Sequence, residues 1–262
     1  MWLHRKDGKG MSQYRLIHAY HEPPFVGDDS ARRNAVARLT WDGAHLFGNI
    51  YRLPITLEQL DRTFQDDDRL MVFVKDIIDA GARSCVERND LIMLSNADTC
   101  FTPRLYEKVV KEFEAGAPAI SGPRRDFEFL DQPLTEEQIG TGYEYIGTDI
   151  FVMRPEWWKA HRGAFPDMIL GAEMWDHLLR GMMRLENLPE VSNLVYHEFH
   201  DSRWTLEHNR HTLRSQRHCR HLGHQWLNSL SPAQRTIVNA ENQITANRHR
   251  QFTTERANRR RG

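Results

Sequence analysis

The chain has 262 residues, 40% of them hydrophobic and seven of them tryptophan, which suffices for one large folded domain or one domain with an extension. No apolar run approaches the roughly 20 residues that cross a bilayer, and the first residues contain no apolar signal-peptide core, so we expect a cytoplasmic protein. The three cysteines form no C-x-x-C pair, so we expect no cysteine zinc site. The net charge of −1 conceals an acidic body and a basic end, because residues 203–262 contain 12 arginines and three glutamates, a net +9, while the rest carries −10.

Strand-like and helix-like segments alternate along the body, a pattern that predicts an α/β fold with a mixed, mostly parallel sheet flanked by helices. Residues 126–145 have weak periodicity and two glycines, and we expect them to form a loop that crosses the active face. The predicted strands are 15–20, 48–55, 89–95, 117–121, 147–153 and 194–204. The predicted helices are 30–43, 69–82, 104–115, a short one after Pro155, 171–187, one that ends near residue 230 and one from 231 onward.

The stretch LIMLSNADTCFTP, residues 91–103, runs from a buried type of strand directly into polar residues. In a parallel α/β sheet, ligands bind at the carboxyl ends of strands, where loops and helix N-termini present free N–H groups. Asn96 and Asp98 are two residues apart, so in an extended turn they project to the same side. Their oxygens suit Mg²⁺ or Mn²⁺ carrying a phosphate, and an Asx turn that caps the next helix is the structural alternative.

Two further groups of polar residues follow downstream. The sequence GAEMWD places Glu173 and Asp176 three residues apart at the predicted start of a helix, beside the positive end of its dipole, where a carboxylate can act as a base. Acidic residues also favour helix N-termini for structural reasons alone. The sequence YHEFH places His197 and His200 after an apolar strand, and each histidine is individually weak evidence for a metal site.

The order of these three groups resembles glycosyltransferases of the GT-A fold, especially family 2-like and polypeptide GalNAc-transferase-like sequences. SNADTCFTP is similar to their strand-ending D-x-D-type motif, GAEMWDHLLR to their G-G-E-D/N-x-E/D motif with L-x-x-R, and LVYHE to their last strand with its histidine. The resemblance covers roughly residues 14–204. It implies a single GT-A-like, Rossmann-like catalytic domain in residues 1–202, followed by a helical basic extension in residues 203–262.

The implied activity is transfer of a sugar from a nucleotide-sugar donor to a hydroxyl acceptor, which is a glycan, a lipid-linked molecule or a protein. The implied cofactor is a divalent cation, Mn²⁺ or Mg²⁺. Asp98, His197 and His200 would hold this ion, and Asn96 with Asp98 would bind the donor. Asn96 departs from the family pattern, because it stands where the first acid of D-x-D would be.

The catalytic base is the second point at which the chain departs from the family. Met174 stands where inverting members often place their catalytic aspartate. Glu173 would then accept the proton of the acceptor hydroxyl, with Asp176 as the second catalytic candidate beside it, or the enzyme would be a retaining one that needs no such base.

Five further residues are candidates for binding the substrates. The resemblance implies that Tyr20 touches the nucleotide base and that Lys75 offers a positive charge to the donor. Arg124 and Arg125 follow a strand and suit a diphosphate or an anionic acceptor by their charge. Trp175 could stack on a sugar ring, although tryptophan is more often part of a core.

Other functions remain open at this stage. The histidine-rich YHEFHDS favours a metal-dependent hydrolase, and the arginine-rich end favours a non-enzymatic nucleic-acid or polyanion-binding protein. The end has little aromatic interleaving and the body is acidic, so we expect no specific nucleic acid. A nucleotidyltransferase would show a G-x-G-[ST]-R loop, where this chain reads HAYHEPPFVGDD.

The extension in residues 203–262 is predicted to be mostly helical and to fray after about Asn247. Apolar residues at helical spacing predict that it packs on the body, and they are Trp204, Leu213, Leu222 and Trp226. Its arginines would contact an anionic acceptor or membrane surface weakly, which would make the protein peripheral to a membrane, or they would only neutralise the acidic body.

Overall fold

A seven-stranded mixed sheet lies at the centre of the fold. The computed structural model describes residues 14–22, 28–66, 69–200 and 213–239. Its strands are β1 (Arg15–His21), β2 (Ile50–Ile55), β3 (Phe64–Gln65), β4 (Leu70–Met71), β5 (Asp90–Ser95), β6 (Cys100–Phe101), β7 (Ala119–Phe127), β8 (Tyr143–Met153) and β9 (Val195–Glu198). The sheet has the order β2-β1-β5-β8-β7-β9-β6, and β3 and β4 form a separate antiparallel pair.

Five of the seven sheet strands run in the same direction. Strands β2, β1 and β5 are parallel to one another, and β8 is antiparallel to both of its neighbours, β5 and β7. Strand β9 is parallel to β7, and β6 is antiparallel to β9. The carboxyl ends of five strands therefore lie at one edge, where α/β proteins bind their ligands. The predicted α/β fold with a mixed, mostly parallel sheet is confirmed.

Helices cover both faces of this sheet. The helices of the described residues are α1 (Asp28–Phe47), α2 (Val74–Ser84), α3 (Leu105–Glu114), α4 (Glu136–Gly140), α5 (Pro155–His161), α6 (Trp175–Leu185), α7 (Arg214–Ser229) and α8 (Pro232–Asn239). Buried side chains of α1, α3 and α4 form one core cluster with the sheet. Those of α2, α5, α6 and α7 form a second cluster on the opposite face.

Strand β5 illustrates why the sheet forms between these two layers. All six of its residues are buried. Leu91 and Met93 point into the core on the α1 and α3 side, whereas Ile92 and Leu94 point into the core on the α2 and α6 side. A strand that is covered on both faces needs an apolar run, here Leu91–Leu94, and each of these side chains contributes roughly 1.5–3 kcal/mol by its burial. The polar turn begins immediately after Ser95, where this burial stops.

The segment 126–145 differs from the predicted loop at both ends. Strand β7 continues to Phe127, α4 lies in the middle, and β8 already begins at Tyr143. The pairing of β7 with β8 extends to Arg125 opposite Glu144 and Asp126 opposite Tyr143. The loop prediction was wrong here because the charged residues interrupt the apolar pattern, although the side chains of Arg125 and Glu144 form an ion pair at 3.1 Å across the two strands.

The helices α7 and α8 pack against the rest of the described chain. Leu213 is 4% exposed, and Leu222 and Trp226 pack against the core cluster of α2 and α6. This confirms that these three residues anchor the extension, while Trp204 and the arginine-rich end lie outside the described residues. A domain boundary at residue 202 stays a prediction. None of the described helices has the length and apolarity needed to cross a membrane.

Candidate metal centre

Asp98, His197 and His200 converge at the carboxyl end of β5. Asp98 lies in the turn that follows this strand, which is closed by a hydrogen bond from the Thr99 N–H to the Asn96 carbonyl at 3.3 Å. The short strand β6 then pairs with β9, with Cys100 opposite Tyr196. This pairing brings the turn beside the end of β9, so residues that are about a hundred positions apart in sequence become neighbours.

The polar atoms of the three side chains face one another. Oδ2 of Asp98 lies 3.2 Å from Nε2 of His197 and 3.1 Å from Nε2 of His200. One ligand atom from each residue lies within 4.8 Å of the other two. The side chain of His197 is 4% exposed, whereas those of Asp98 and His200 are 22% and 26% exposed. The cluster is therefore anchored in the interior and open to solvent on one side.

The donor set fits a divalent metal ion. It combines one carboxylate oxygen with two imidazole nitrogens, an arrangement that suits Mn²⁺, Fe²⁺ or Zn²⁺. Mg²⁺ prefers oxygen ligands throughout, so the two histidines favour Mn²⁺ between the two expected ions.

The charges within the cluster stabilise one another. Burial alone disfavours the carboxylate of Asp98, but His197 and His200 outweigh it and hold the pKa of Asp98 well below its usual range. Burial and the nearby Arg124 both disfavour the imidazolium of His197, yet Asp98 and Asp126 together raise its pKa to about 9. Metal binding must therefore displace a proton from His197.

A network of buried charges lies behind the cluster. Arg124 contacts Asp126 through Nε at 2.8 Å and Asp149 through a terminal nitrogen at 2.6 Å, and its guanidinium lies 3.7 Å from the ring centroid of Tyr145. Asp126 and Asp149 are 1% and 3% exposed. The sequence reasoning missed both carboxylates. The alternation of Arg124 and Asp126 on one strand was the available signal, because residues two apart share a face.

The carboxylates of Glu173 and Asp176 have different partners. Glu173 precedes α6, and its Oε2 accepts a hydrogen bond from Arg220 on α7 at 2.9 Å. Its N–H donates to the side-chain oxygen of Gln216 at 2.9 Å. Asp176 lies in the first turn of α6, and its Oδ2 accepts the N–H of Thr148 at 3.2 Å. Thus strand β8 holds Asp176, and α7 holds Glu173.

Gly147 allows Asp176 to approach the buried network. A Cβ at this position would lie 2.8 Å from Oδ2 of Asp176 and 2.5 Å from a ring carbon of Tyr145. Both distances are too short for a real side chain. Because glycine has no Cβ, the carboxylate and the tyrosine ring lie close together, and the same ring contacts Arg124.

The remaining candidate residues are held elsewhere. Tyr20 is 5% exposed and packs on His18 and Trp41, and Nζ of Lys75 forms an ion pair with Asp167 at 3.1 Å. Arg125 donates to Asn193 and to the carbonyl of Gly142. Asn96 is half-buried in its turn. Trp175 is 4% exposed and packs on Phe151. The predicted stacking of Trp175 on a sugar has no support from this packing.

Comparisons with known proteins do not assign the chain to a family. No family model matches it, and neither does any curated protein. Similar solved structures include a mutant β-1,4-galactosyltransferase 7 from Drosophila in complex with manganese, UDP-Gal and xylobiose, which is 13% identical over 74% of this chain and 74% of that chain, with a TM-score of 0.42. They also include 4-diphosphocytidyl-2C-methyl-D-erythritol synthase from Anaerococcus prevotii, which is 10% identical over 75% of this chain and 94% of that chain, with a TM-score of 0.32. Both scores lie below 0.5, so neither similarity identifies a fold family or a reaction.

Proposed function

We propose that the chain is a glycosyltransferase that moves a sugar from a nucleotide-sugar donor to a hydroxyl acceptor, assisted by a divalent metal ion. The observation that carries this proposal is the convergence of Asp98, His197 and His200 at the carboxyl edge of the sheet. These residues come from two of the three motifs that resemble GT-A enzymes, and they meet at the edge where such a fold binds nucleotides.

Asp98, His197 and His200 would hold the ion, and their donor set supports Mn²⁺ over Mg²⁺. When bound, a divalent ion stabilises the negative charge that develops on a departing nucleoside diphosphate. The chain itself keeps Asp98 ionised through the two histidines. It also leaves this carboxylate and His200 partly exposed, so that a phosphate can reach the same place from solvent.

Asp176 is the better candidate for the catalytic base of an inverting reaction. Its carboxylate is half-buried, lies at the positive end of α6, and is oriented by the N–H of Thr148. It would accept the proton of the acceptor hydroxyl as the new glycosidic bond forms. Glu173 is less suitable, because a proton on its carboxylate would weaken the ion pair with Arg220.

The two arginines of β7 differ in what they can offer a substrate. The guanidinium of Arg124 is enclosed by Asp126, Asp149 and the ring of Tyr145. We therefore assign to Arg124 a role in supporting the metal centre and not in binding the diphosphate. Arg125 pairs with Glu144, whose side chain is 44% exposed, so it remains a candidate for contacting an anionic substrate.

The proposal is tested by an assay for acceptor-dependent release of nucleoside diphosphate. The protein is incubated with Mn²⁺, with UDP-, GDP- or dTDP-sugars, and with a mixture of mono- and disaccharide acceptors. We expect turnover with at least one donor and a loss of about 100-fold or more in Asp98→Ala, since removing a metal ligand removes the charge stabilisation. Asp61→Ala, which changes an exposed aspartate, serves as the matched control.

Two outcomes would contradict the proposal. One is an Asp98→Ala variant that retains a near-normal rate. The other is hydrolysis that requires Zn²⁺ and no acceptor, which would favour a metal-dependent hydrolase because the same donor set suits zinc. Polyanion binding without turnover of any nucleotide sugar would instead favour the non-enzymatic alternative.

A further inference from the structure

We infer that Asp126 is a positioning residue of the metal centre, which holds the Nδ1–H of His197 and thereby presents the Nε2 lone pair to the ion. This inference deepens the proposed function and rests on its metal site, but not on the reaction that the site performs. It concerns a carboxylate that touches neither the ion nor a substrate and acts only through His197.

The register of the sheet brings the two residues together. Strands β7 and β9 are parallel, and Asp126 lies directly opposite His197 in this pairing. The imidazole is buried and lies between two carboxylates. Its Nε2 faces Oδ2 of Asp98 at 3.2 Å, and its Nδ1 faces Oδ1 of Asp126 at 3.7 Å. Nε2 therefore faces the metal ligand Asp98, and Nδ1 faces the supporting carboxylate of Asp126.

The Nδ1 atom lacks a hydrogen bond in the described residues. It is buried, and the 3.7 Å to Asp126 is longer than a hydrogen bond allows. Leaving a buried polar nitrogen unpaired is unfavourable. A shift of less than about 1 Å would close this gap. Histidines that bind metals almost always donate their other ring N–H to a carboxylate or carbonyl, which fixes the tautomer and the orientation of the ring.

Arg124 keeps Asp126 available for this contact. Its Nε lies 2.8 Å from Oδ1 of Asp126, but the geometry does not make a hydrogen bond, so this oxygen can still accept the N–H of His197. The guanidinium also contacts Asp149 at 2.6 Å and lies over the ring of Tyr145. The carboxylate is thus buried and fixed in place, as an orienting group must be.

Asp149 provides a matched control for Asp126. Both carboxylates are buried and both form an ion pair with Arg124. In register, however, Asp126 lies opposite His197 on β9, whereas Asp149 belongs to β8. A change of either residue to asparagine removes one negative charge from the same guanidinium, and only the change at Asp126 removes the charge that faces Nδ1.

The first test measures Mn²⁺ affinity by electron paramagnetic resonance of the free ion. We expect Asp126→Asn to bind Mn²⁺ about 10–100-fold more weakly than the unmodified protein, as is usual for loss of an outer carboxylate, and Asp149→Asn to change affinity less than about threefold. Equal affinities of the unmodified protein and Asp126→Asn would overturn the inference alone. If the unmodified protein binds no Mn²⁺, the proposed metal site is wrong, and the inference falls with it. If the protein binds Mn²⁺ but transfers no sugar, only the proposed function is wrong.

The second test needs no substitution at Asp126, so it applies even if that variant does not fold. The ¹⁵N imidazole spectrum of the unmodified, Zn²⁺-loaded protein reports which nitrogen carries the proton, and the signal that is missing in His197→Gln identifies His197 among the 14 histidines. We expect Nδ1 to be protonated and Nε2 to be bound to the metal. The opposite tautomer, or a mixture of the two, would overturn the inference.

Discussion

Asp98 shows how a carboxylate is accommodated immediately after a buried strand. The apolar run of β5 ends at Ser95, and Asp98 lies in the next turn with only 22% of its side chain exposed. Burial of an unpaired carboxylate would be costly, but two histidines stabilise its charge. The same two histidines form a set of candidate metal ligands with Asp98, so the contacts that stabilise its charge also build the candidate metal centre.

His18 is a buried histidine with a structural role. It is fully buried, its Nε2 lies 2.8 Å from the Ser95 hydroxyl, and its ring packs against Tyr20, Trp41 and Phe101. Burial, aided by the positive charge of Arg52, lowers its pKa to about 3. It therefore stays neutral in the folded state at pH values where an unfolded histidine is charged.

This shift predicts a loss of stability in mild acid. The unfolded state takes up a proton on His18 below about pH 6.5 and the folded state does not, so the free energy of unfolding falls by about 1.4 kcal/mol per pH unit as the pH drops from 6.5 towards 3. Urea denaturation at pH 7 and pH 5 measures it. His18→Gln should show a flatter dependence than His221→Gln, which changes an exposed histidine. Equal slopes in the two variants would contradict the assignment.

At the scale of elements, α7 holds the segment that leads into α6. Met174, the residue before this helix, has a left-handed backbone with φ of 74°, which is uncommon for a residue other than glycine. Its neighbour Glu173 is fixed by Gln216 through the backbone and by Arg220 through the side chain. Because Asp176 lies three residues after Glu173, contacts from the extension help to set the position of the candidate base.

Loss of Arg220 should destabilise this junction. Arg220→Met leaves the nearly buried carboxylate of Glu173, 9% exposed, without its guanidinium partner, and we expect a cost of about 1–3 kcal/mol in the free energy of unfolding. Arg217→Met, at an exposed position of the same helix, is the control and should cost less than about 0.5 kcal/mol. Adding Glu173→Gln to Arg220→Met should recover part of the loss, and strict additivity of the two changes would show that the ion pair carries no coupling energy.

Element by element, the sequence was most informative where apolar residues dominate. The apolar run of β5 was predicted to within one residue, whereas the helix predicted over 69–82 begins only at Val74, because Leu70 and Met71 form strand β4. The continuation of β7 and the start of β8 were missed, because Arg124, Arg125 and Asp126 resemble a solvated loop. Their partners come from Asp149, Glu144 and His197, which lie far along the chain, and only the folded sheet brings them together.

Across the whole molecule, some residues of the candidate site were predictable from the sequence and others were not. The resemblance to GT-A enzymes implied that Asp98, His197 and His200 share a site, and in the structure the turn after β5 and the end of β9 bring them together. The supporting role of Asp126 and the pairing of Glu173 with Arg220 could not. The role of a charged residue depends on partners whose distance the sequence does not contain.

The charge asymmetry of the chain leads to a prediction about its arginine-rich end. Deletion of residues 248–262 should leave the thermal midpoint unchanged, because this segment has little apolar surface to bury. Co-sedimentation with phosphatidylserine vesicles tests its proposed contact with an anionic surface. The contact would be supported if the full chain sediments with the vesicles in a salt-sensitive way and the truncated protein sediments less, since each arginine contributes about 1 kcal/mol near anionic lipid. Identical sedimentation would leave only neutralisation of the acidic body, and a lower midpoint would contradict the first part.

A divalent ion held by Asp98, His197 and His200 should bind a nucleotide, and a thermal-shift titration measures this binding. The unmodified protein and Asp98→Ala are titrated with UDP, GDP and dTDP, each with and without Mn²⁺. We predict that one nucleotide raises the thermal midpoint of the unmodified protein only when Mn²⁺ is present. At a nucleotide concentration of 100 times its dissociation constant, the folded state should be stabilised by about 2.7 kcal/mol. Asp98→Ala should show no such shift. A nucleotide shift that is independent of both Mn²⁺ and Asp98, or no shift with any nucleotide, would contradict the claim.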